Sequence, residues 1–213
     1  MLPFTPGSAR IALFLCEWKF RFSEMVSALE KASVREAAVP ITVEQYHRLG
    51  AAGIIAENTE LLFGVIVAKM SKSPFHTWVL EKLVELLRGL IAEEDHFHVR
   101  QEQPMTLRDS EPEPDIAIVA GTRDAFKEKH PDSAELVIEV AISSSDIDRE
   151  KAAAYAGAGV PEYWIIEPER GLVTLFSKPS AGKYQEKEEV QETDAAVSRR
   201  FPKFSFTLVE FIG

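Results

Sequence analysis

The chain has 213 residues, enough for one domain with a substantial core, and its 46% apolar and 27% charged content is typical of a globular protein. The single cysteine, Cys16, excludes a disulfide within the chain and favours a reducing compartment, so we expect a cytoplasmic protein. No run approaches the roughly 20 apolar residues that span a bilayer, so no membrane partner is expected. The formal net charge of −10 argues against broad, nonspecific binding of nucleic acid, because surfaces that bind DNA are usually basic.

Residues 1–40 are interpreted as an N-terminal extension, partly helical, because they lack the regular apolar spacing of the residues that follow. Residues 1–24 combine turn residues with a short mixed segment, and we expect their deletion to leave the domain folded. Met25 is an alternative natural start, in which case the residues before it are an added segment. Residues 41–213 are interpreted as a single domain.

Two short elements are predicted at the start of this domain. Thr42, with Gln45 three residues later, predicts a capping box and a short helix. Residues 60–70 predict a strand or a hairpin whose turn lies near Gly64.

A long amphipathic helix is predicted next. Ser73 and Pro74 are typical of an N-cap followed by a first helical residue. Glu81 and Glu85 are expected on the exposed side of this helix. Its apolar residues recur three and four positions apart, at Trp78, Val79, Leu83, Leu86, Leu87 and Leu90.

The remainder of the chain predicts strands, one further helix and a short terminal helix. The strands are predicted at 97–107, 114–119, 135–141, 162–168 and 171–178, with an edge strand from Tyr184. The helices are predicted at 147–157 and within 206–213. Apolar runs such as 114–119 and 135–141 are typical of central strands covered on both faces. The pattern therefore predicts an α/β domain in which helices flank a mixed β-sheet.

Two carboxylates stand out among the predicted strands. Asp115 follows Pro114 at the mouth of one apolar strand, where a simple turn acid is the ordinary alternative. Glu139 lies inside the next strand, on the same face as Val137 and Ala141. Burying a carboxylate without a partner costs free energy. Glu139 therefore predicts a functional site, unless that face of the strand is exposed to solvent.

Three further residues complete the candidate catalytic set. Lys151 lies on a predicted helix that a short link returns towards the end of the Glu139 strand. Glu60 opens an earlier strand, and His76 lies in the first turn of the long helix. Each of the three has an ordinary alternative as a solvated surface residue.

This set of residues suits the hydrolysis of a phosphodiester bond. Mg²⁺ prefers carboxylates and waters in octahedral geometry, and Asp115 and Glu139, with Glu60 as a third ligand, would supply the carboxylates. The cation would neutralise phosphate charge and lower the pKa of water, while Lys151 would orient the attacking water or stabilise developing negative charge. His76 would contact the substrate phosphate or assist a proton transfer.

These residues resemble the PD-(D/E)XK nuclease superfamily and, more narrowly, the Uma-two family of restriction-endonuclease-like proteins. The matching segments lie within residues 41–178 and are TVEQYHRLG, ELLFGVIV, SPFHTWVLEKL, EPEPDIAIV, ELVIEVA and DREKAAAYAGAGVPEYWIIEP. The resemblance implies a restriction-endonuclease-like core. It also implies a metal site at Asp115 and Glu139, with Glu60 nearby.

One position departs from the superfamily pattern, which places a lysine two residues after the second acid. This chain has Ala141 there, and Uma-two members carry the lysine on the following helix, which points to Lys151. Lys151 follows Asp148 by three residues, one fewer than the family pattern, so the sequence leaves the direction of the amine open.

Two functions follow from these observations. The first is a Mg²⁺-dependent DNA endonuclease, with Mn²⁺ as an alternative cofactor, and the residues of the site favour it. The second is a non-catalytic, dimeric scaffold or accessory protein with the nuclease fold, and the acidic charge favours it. A homodimer is expected because cutting both DNA strands needs two sites. An aromatic tail would cover the dimer interface or else complete the subunit's own core: Phe201, Phe204, Phe206 and Phe211.

Overall fold

The computed structural model describes residues 31–91, 96–142 and 145–213. Its contacts divide the chain into two units, with the boundary between Pro40 and Ile41. The described part of the first unit holds one helix, α1, at Ala32–Ala37, which buries none of its residues. The expectations for residues 1–24, for Cys16 and for a start at Met25 lie outside the described residues.

The second unit alternates helices and strands. Its helices are α2 (Val43–Ala51), α3 (Pro74–Ile91), α4 (Asp146–Gly157) and α5 (Leu208–Ile212). Its strands are β1 (Thr59–Leu62), β2 (Val65–Ala68), β3 (Phe97–Gln101), β4 (Ile116–Ala120), β5 (Leu136–Val140), β6 (Glu162–Glu167), β7 (Leu172–Ser180), β8 (Lys183–Gln191), β9 (Ala195–Val197) and β10 (Ser205–Thr207). The described residues of this unit contain no helix long and apolar enough to cross a membrane.

A six-stranded mixed sheet lies at the centre of this unit, in the order β3-β4-β5-β6-β7-β8. Its neighbours are antiparallel except β5 and β6, which are parallel. A parallel pair needs a crossover connection, and α4 supplies it. The predicted mixed sheet with flanking helices is therefore confirmed, as is the predicted edge position of the strand from Tyr184.

The elements at the start of the domain also form as predicted. Thr42 accepts a hydrogen bond from the Gln45 amide, and the Gln45 side chain accepts one from the Thr42 amide, which is the predicted capping box. β1 and β2 form an antiparallel hairpin, and Leu61 in β1 bridges to Glu111. This bridge places Glu60 beside the entrance to β4.

The two faces of β5 pack against different layers, as its alternation predicts. Leu136, Ile138 and Val140 lie in the core that α3 covers, whereas Val137 and Ala141 pack in the core on the α4 side. Glu139 shares that second face, which is buried and not wet. The helix α4 therefore covers the face of the sheet on which Glu139 lies.

One prediction about apolar residues is wrong, and one alternative that the sequence left open is decided. The spacing placed Trp78 on the buried stripe of α3, but this residue is 41% exposed, because it lies at the flank of that stripe and stacks on Phe75. For the C-terminal phenylalanines the sequence left open a dimer interface or the subunit's own core, and three of them are buried in that core. Phe204, for example, stacks on Trp164 with ring centroids 5.1 Å apart. They complete the subunit core, so they give no support to a dimer.

Candidate active site

Asp115 and Glu139 lie side by side on neighbouring antiparallel strands. Asp115 directly precedes β4, and the register pairs Ile116 with Ile138 of β5. The Asp115 amide donates to Glu139 Oε2 at 3.1 Å, and the Val140 amide donates to Asp115 Oδ2 at 2.8 Å. Both side chains are about 95% buried. The two acids that the sequence singled out are therefore brought together, each accepting a hydrogen bond from the backbone of the other strand.

Lys151 reaches this pair from α4 and links it to the β1 hairpin. Its Nζ lies 3.0 Å from Glu139 Oε1 and 3.2 Å from Glu60 Oε2, and its side chain is buried. Glu60 also accepts a hydrogen bond from the Glu113 amide at 2.8 Å. On the same side of α4, the Tyr155 hydroxyl donates to Glu139 Oε1 at 3.1 Å. Lys151 and Tyr155 of α4 therefore both contact Glu139 inside the site.

Asp115 has a different set of cationic partners. Lys72 Nζ lies 2.9 Å from Oδ1, and His76 Nε2 donates to Oδ2 at 3.0 Å. His76 is buried in the first turn of α3, where Ser73 accepts a hydrogen bond from its amide. Its Nδ1 is buried without a partner among the described residues. Lys151 therefore forms ion pairs with Glu139 and Glu60, whereas Lys72 forms one with Asp115.

Sequence reasoning did not find Lys72, Glu113, Asp148 and Tyr155 as members of the site. Lys72 lies in the short loop segment KMSKSP, where a lysine is indistinguishable from a solvated residue. The spacing on α4 carried a usable signal, because Asp148, Lys151 and Tyr155 recur three and four positions apart. That spacing predicts a shared helix face for the three residues, but it does not show that the face meets Glu139.

The two central carboxyl groups have opposite ionisation behaviour. Burial raises the pKa of Glu139 to about 8, and the negative charges of Asp148, Asp115 and Glu60 add to this effect while Lys151 opposes it. Burial also disfavours the charged form of Asp115, but the hydrogen bond and charge of His76, together with Lys72, hold its pKa below the usual value. At neutral pH Asp115 is ionised, and Glu139 holds a proton for much of the time.

Lys151 remains charged in this environment. Burial lowers the pKa of its ammonium group, but the carboxylates of Glu139, Glu60 and Asp148 outweigh burial and raise it overall. The lysine is therefore a fixed positive charge inside the site.

These residues line a cavity of about 230 Å³. Its wall carries five carboxylates against three ammonium groups, a net charge of −2 when all are ionised and His76 is neutral. The carboxylates are Glu60, Glu113, Asp115, Glu139 and Asp148, and the ammonium groups belong to Lys69, Lys72 and Lys151. Such an excess of buried negative charge favours the entry of a cation.

The chemistry of the donors fits Mg²⁺, which takes oxygen ligands and few of them from protein. Their present positions are not those of a chelating group, since no three His, Cys, Asp or Glu side chains of the described ranges converge on one ion. Hydrogen bonds to Lys72, Lys151 and backbone amides hold the carboxylate oxygens instead. These carboxylates would hold a cation only after giving up part of these hydrogen bonds.

Comparison with known proteins gives a family and a fold. Residues 43–209 match the model of the family Uma2, described as "Putative restriction endonuclease". The crystal structure of a "putative nuclease belonging to DUF820" from Anabaena variabilis superposes with a TM-score of 0.67 at 19% identity, over 81% of this chain and 98% of that chain. At this identity the likeness shows the fold. No curated protein matches the chain.

Proposed function

This chain belongs to the Uma2 family, and we propose that it is an endonuclease that hydrolyses phosphodiester bonds of DNA with the help of Mg²⁺, for which Mn²⁺ can substitute. The supporting observation is the cluster itself: the buried carboxylates of Glu60, Asp115 and Glu139 line a single cavity, and the buried Lys151 contacts Glu60 and Glu139 there. Burial of so many ionisable groups costs several kcal/mol per ion before pairing, and structural stability alone does not call for it. Perturbed groups in a cleft are typical of catalytic sites.

Asp115 and Glu139, with Glu60 beside them, are the groups that would hold the cation. When bound, Mg²⁺ supplies charge neutralisation at the phosphate and lowers the pKa of nearby water. Glu139 must release its proton on cation entry, and the loss of that proton makes its carboxylate a ligand. Lys151 remains protonated and stabilises the negative charge that develops on the phosphate oxygens.

His76 holds Asp115 in place and is a candidate for proton transfer. Because a carboxylate only accepts, His76 Nε2 carries the proton of the hydrogen bond to Asp115 and Nδ1 is an acceptor. Nδ1 is the unpartnered buried atom of the ring. It is therefore the ring atom of His76 that remains able to accept a proton.

The proposal also includes an oligomeric state and a cellular location. A homodimer is supported only by the need for two sites to cut two DNA strands, because the C-terminal phenylalanines are buried within the subunit. A cytoplasmic location is supported by the single cysteine.

A non-catalytic accessory role is the second candidate, and one observation favours it. Every carboxylate at the centre of the site already has a protein donor, which is the arrangement of a self-sufficient structural network. The net charge of −10 also opposes contact with DNA.

Thermal unfolding with Mg²⁺ separates the two candidates. A ligand that binds only the native state raises stability by RT ln(1 + [L]/Kd), so Mg²⁺ at about 100 Kd adds about 2.7 kcal/mol. We expect this gain in the wild type and in Glu81→Gln, a control on the exposed side of α3, and its loss in Glu139→Gln. A wild-type Tm that ignores millimolar Mg²⁺ and Mn²⁺ would favour the non-catalytic role.

A further inference from the structure

A second cavity lies on the other side of the segment that leads into β4. Glu111, Glu113 and Asp115 alternate with prolines in this extended segment. Glu113 and Asp115 line the acidic cavity, whereas Glu111 accepts a hydrogen bond from His47 Nε2 at 2.7 Å. A cavity of about 720 Å³ opens beside His47, and residues 126–130 form much of its wall. The two cavities thus flank one short stretch of chain.

Behind this second cavity lies a buried arginine that has no acidic partner. Arg100 of β3 is 5% exposed, and no carboxylate of the described residues lies within 4 Å of its guanidinium. The group stacks over the Phe126 ring at 5.4 Å, and its Nε is buried without a hydrogen bond. A buried charge without a counter-charge is costly, and a bound anion would supply the missing charge.

Arg100 fixes the orientation of His130, which is exposed at the cavity. Arg100 Nη2 lies 3.2 Å from His130 Nδ1. Because a guanidinium can only donate, His130 Nδ1 accepts, and the proton of the neutral ring lies on Nε2. Partial burial lowers the pKa of His130, so the neutral ring is the form present at pH 7. The side chain therefore offers an N–H donor, with the arginine charge directly behind it.

Exposed lysines surround this histidine. Lys127 and Lys129 line the same cavity, and neither of them forms an ion pair within the described part of the chain. Glu128 and Asp132 also reach the wall, so the selectivity for an anion comes from Arg100 and His130. The charges of Lys127 and Lys129 balance those of Glu128 and Asp132 on this wall, so the net positive charge beside the cavity is that of the buried Arg100.

We propose that this second cavity binds a backbone phosphate of the DNA, through His130 Nε2–H and the ammonium groups of Lys127 and Lys129, with Arg100 supplying the charge behind them. The inference rests on the proposed function, since it makes the cavity a subsite of the DNA path. Arg100 pairs in register with Ala117, two residues from Asp115, which places its backbone about 8 Å from that of Asp115 by strand geometry. At about 3.4 Å of rise per nucleotide, the bound phosphate lies a few nucleotides from the bond to be cut.

Fluorescence anisotropy with a labelled 20-base-pair duplex tests the proposal. The full chain is added in increasing concentration to the labelled duplex, in buffer that contains Ca²⁺ in place of Mg²⁺. The titration is repeated at several salt concentrations, and the DNA is checked for integrity afterwards. The variants are Arg100→Met, which keeps the contact with Phe126, and Lys127→Ala/Lys129→Ala, which alters exposed residues only. The matched control is Lys183→Ala/Lys187→Ala on β8, at the opposite edge of the sheet.

Both test variants should bind the duplex on the order of 10-fold more weakly, as expected when a charged hydrogen bond to phosphate is removed. The slope of log K against log salt should become shallower by about 1 for each phosphate that the variant no longer neutralises. The control should match the wild type in Kd and in slope. If Arg100→Met is poorly folded, the lysine variant decides, because its residues are exposed.

Several results would overturn the proposal. Equal affinities for wild type and variants would remove the cavity from the DNA path, and a wild type that binds no duplex would do the same. If inorganic phosphate raises the wild-type Tm while DNA affinity is unchanged in the variants, the cavity is a site for small anions. The Mg²⁺-linked gain in Tm is measured on the same proteins, and it tests the acidic site independently of DNA binding.

Discussion

Asp115 and Glu139 hydrogen-bond across neighbouring strands, yet their carboxyl groups ionise in opposite senses. His76 and Lys72 offset the burial of Asp115, whereas burial and three nearby acids outweigh Lys151 at Glu139. A pair of acids whose environments separate their pKa values is typical of sites that bind cations or move protons. The sequence predicted which two acids meet, but the low pKa of Asp115 depends first on His76, a predicted site residue, and then on Lys72, a loop residue without any distinguishing pattern.

The raised pKa of Glu139 predicts a pH dependence of stability. The folded value of about 8 lies above the usual 4.5, so between these values the native state holds a proton that the unfolded state has released. Raising the pH therefore favours unfolding. We expect the metal-free wild type to lose about 3 kcal/mol relative to Glu139→Gln between pH 5 and pH 8, measured by urea unfolding.

Glu81→Gln is the control for this measurement, because Glu81 is exposed on α3. Its stability should follow the wild type across the pH range. If the free energies of unfolding of the wild type and Glu139→Gln change in parallel with pH, Glu139 ionises normally in the folded protein.

Lys151 should separate the metal-binding and catalytic contributions. Lys151→Ala leaves Glu139 and Glu60 without their shared cation, so we expect a loss of roughly 3 kcal/mol in the metal-free protein. The Mg²⁺-linked gain should persist or increase, because an ammonium group is not a ligand. DNA cleavage should fall by at least about 100-fold. Loss of the Mg²⁺ response in this variant would show that the lysine only supports the local fold.

Among the secondary-structure elements, the site lies where the start of β4 and the end of β5, two interior strands of the sheet, meet α4. The alternation in β5 predicted correctly that Glu139 shares a buried face with Val137 and Ala141. The length of the link before α4 left the direction of Lys151 open, because a one-residue change rotates a helical side chain by about 100°. Packing of Tyr155 and Ala154 against the sheet settles that rotation, and such packing is not visible in local spacing.

The strand position that the superfamily pattern assigns to lysine provides a rescue experiment. Ala141 lines the same cavity as Glu139 and follows it by two residues, on the same side of the strand. In the background of Lys151→Ala, we expect Ala141→Lys to restore part of the cleavage activity, because the new amine enters the cavity from β5. The rate of plasmid nicking measures this effect.

Ala141→Lys alone is the control for the rescue, since it reports the effect of crowding the cavity. Both Lys151→Ala and the double variant with Ala141→Lys could nick the plasmid only at the background rate. If both proteins are folded and still respond to Mg²⁺, this result would show that position 141 cannot present the amine to the substrate.

For the whole molecule, the pattern of predicted strands and helices gave the correct fold class, whereas the overall charge gave a misleading view of the surface. The net charge of −10 is a sum over the whole chain, and it conceals the buried Arg100 beside His130, which forms no ion pair among the described residues. The phenylalanines of the tail were ambiguous for a similar reason. The sequence shows that these side chains are apolar, but it does not show what covers them. The tertiary structure shows that Phe201, Phe204 and Phe211 pack inside the subunit.

The homodimer remains a prediction, on the ground that both DNA strands must be cut. Light scattering at micromolar concentration, with and without duplex DNA, should give twice the 23.8 kDa mass of the chain. Sequential nicking by a monomer is the alternative. A mass of one chain under both conditions, with linear plasmid accumulating only after nicked circles, would contradict the dimer.

Plasmid cleavage tests the central claim, that the acids at Asp115 and Glu139 form a metal-dependent site for DNA hydrolysis. Supercoiled plasmid is incubated with the wild type, Glu139→Gln and Glu81→Gln, each with Mg²⁺, Mn²⁺ or EDTA. We expect nicked or linear product from the wild type and Glu81→Gln only when metal is present, and a rate at least about 100-fold lower for Glu139→Gln. Folded wild-type protein that leaves the plasmid intact with both metals, or cleavage that Glu139→Gln performs equally well, would contradict the account.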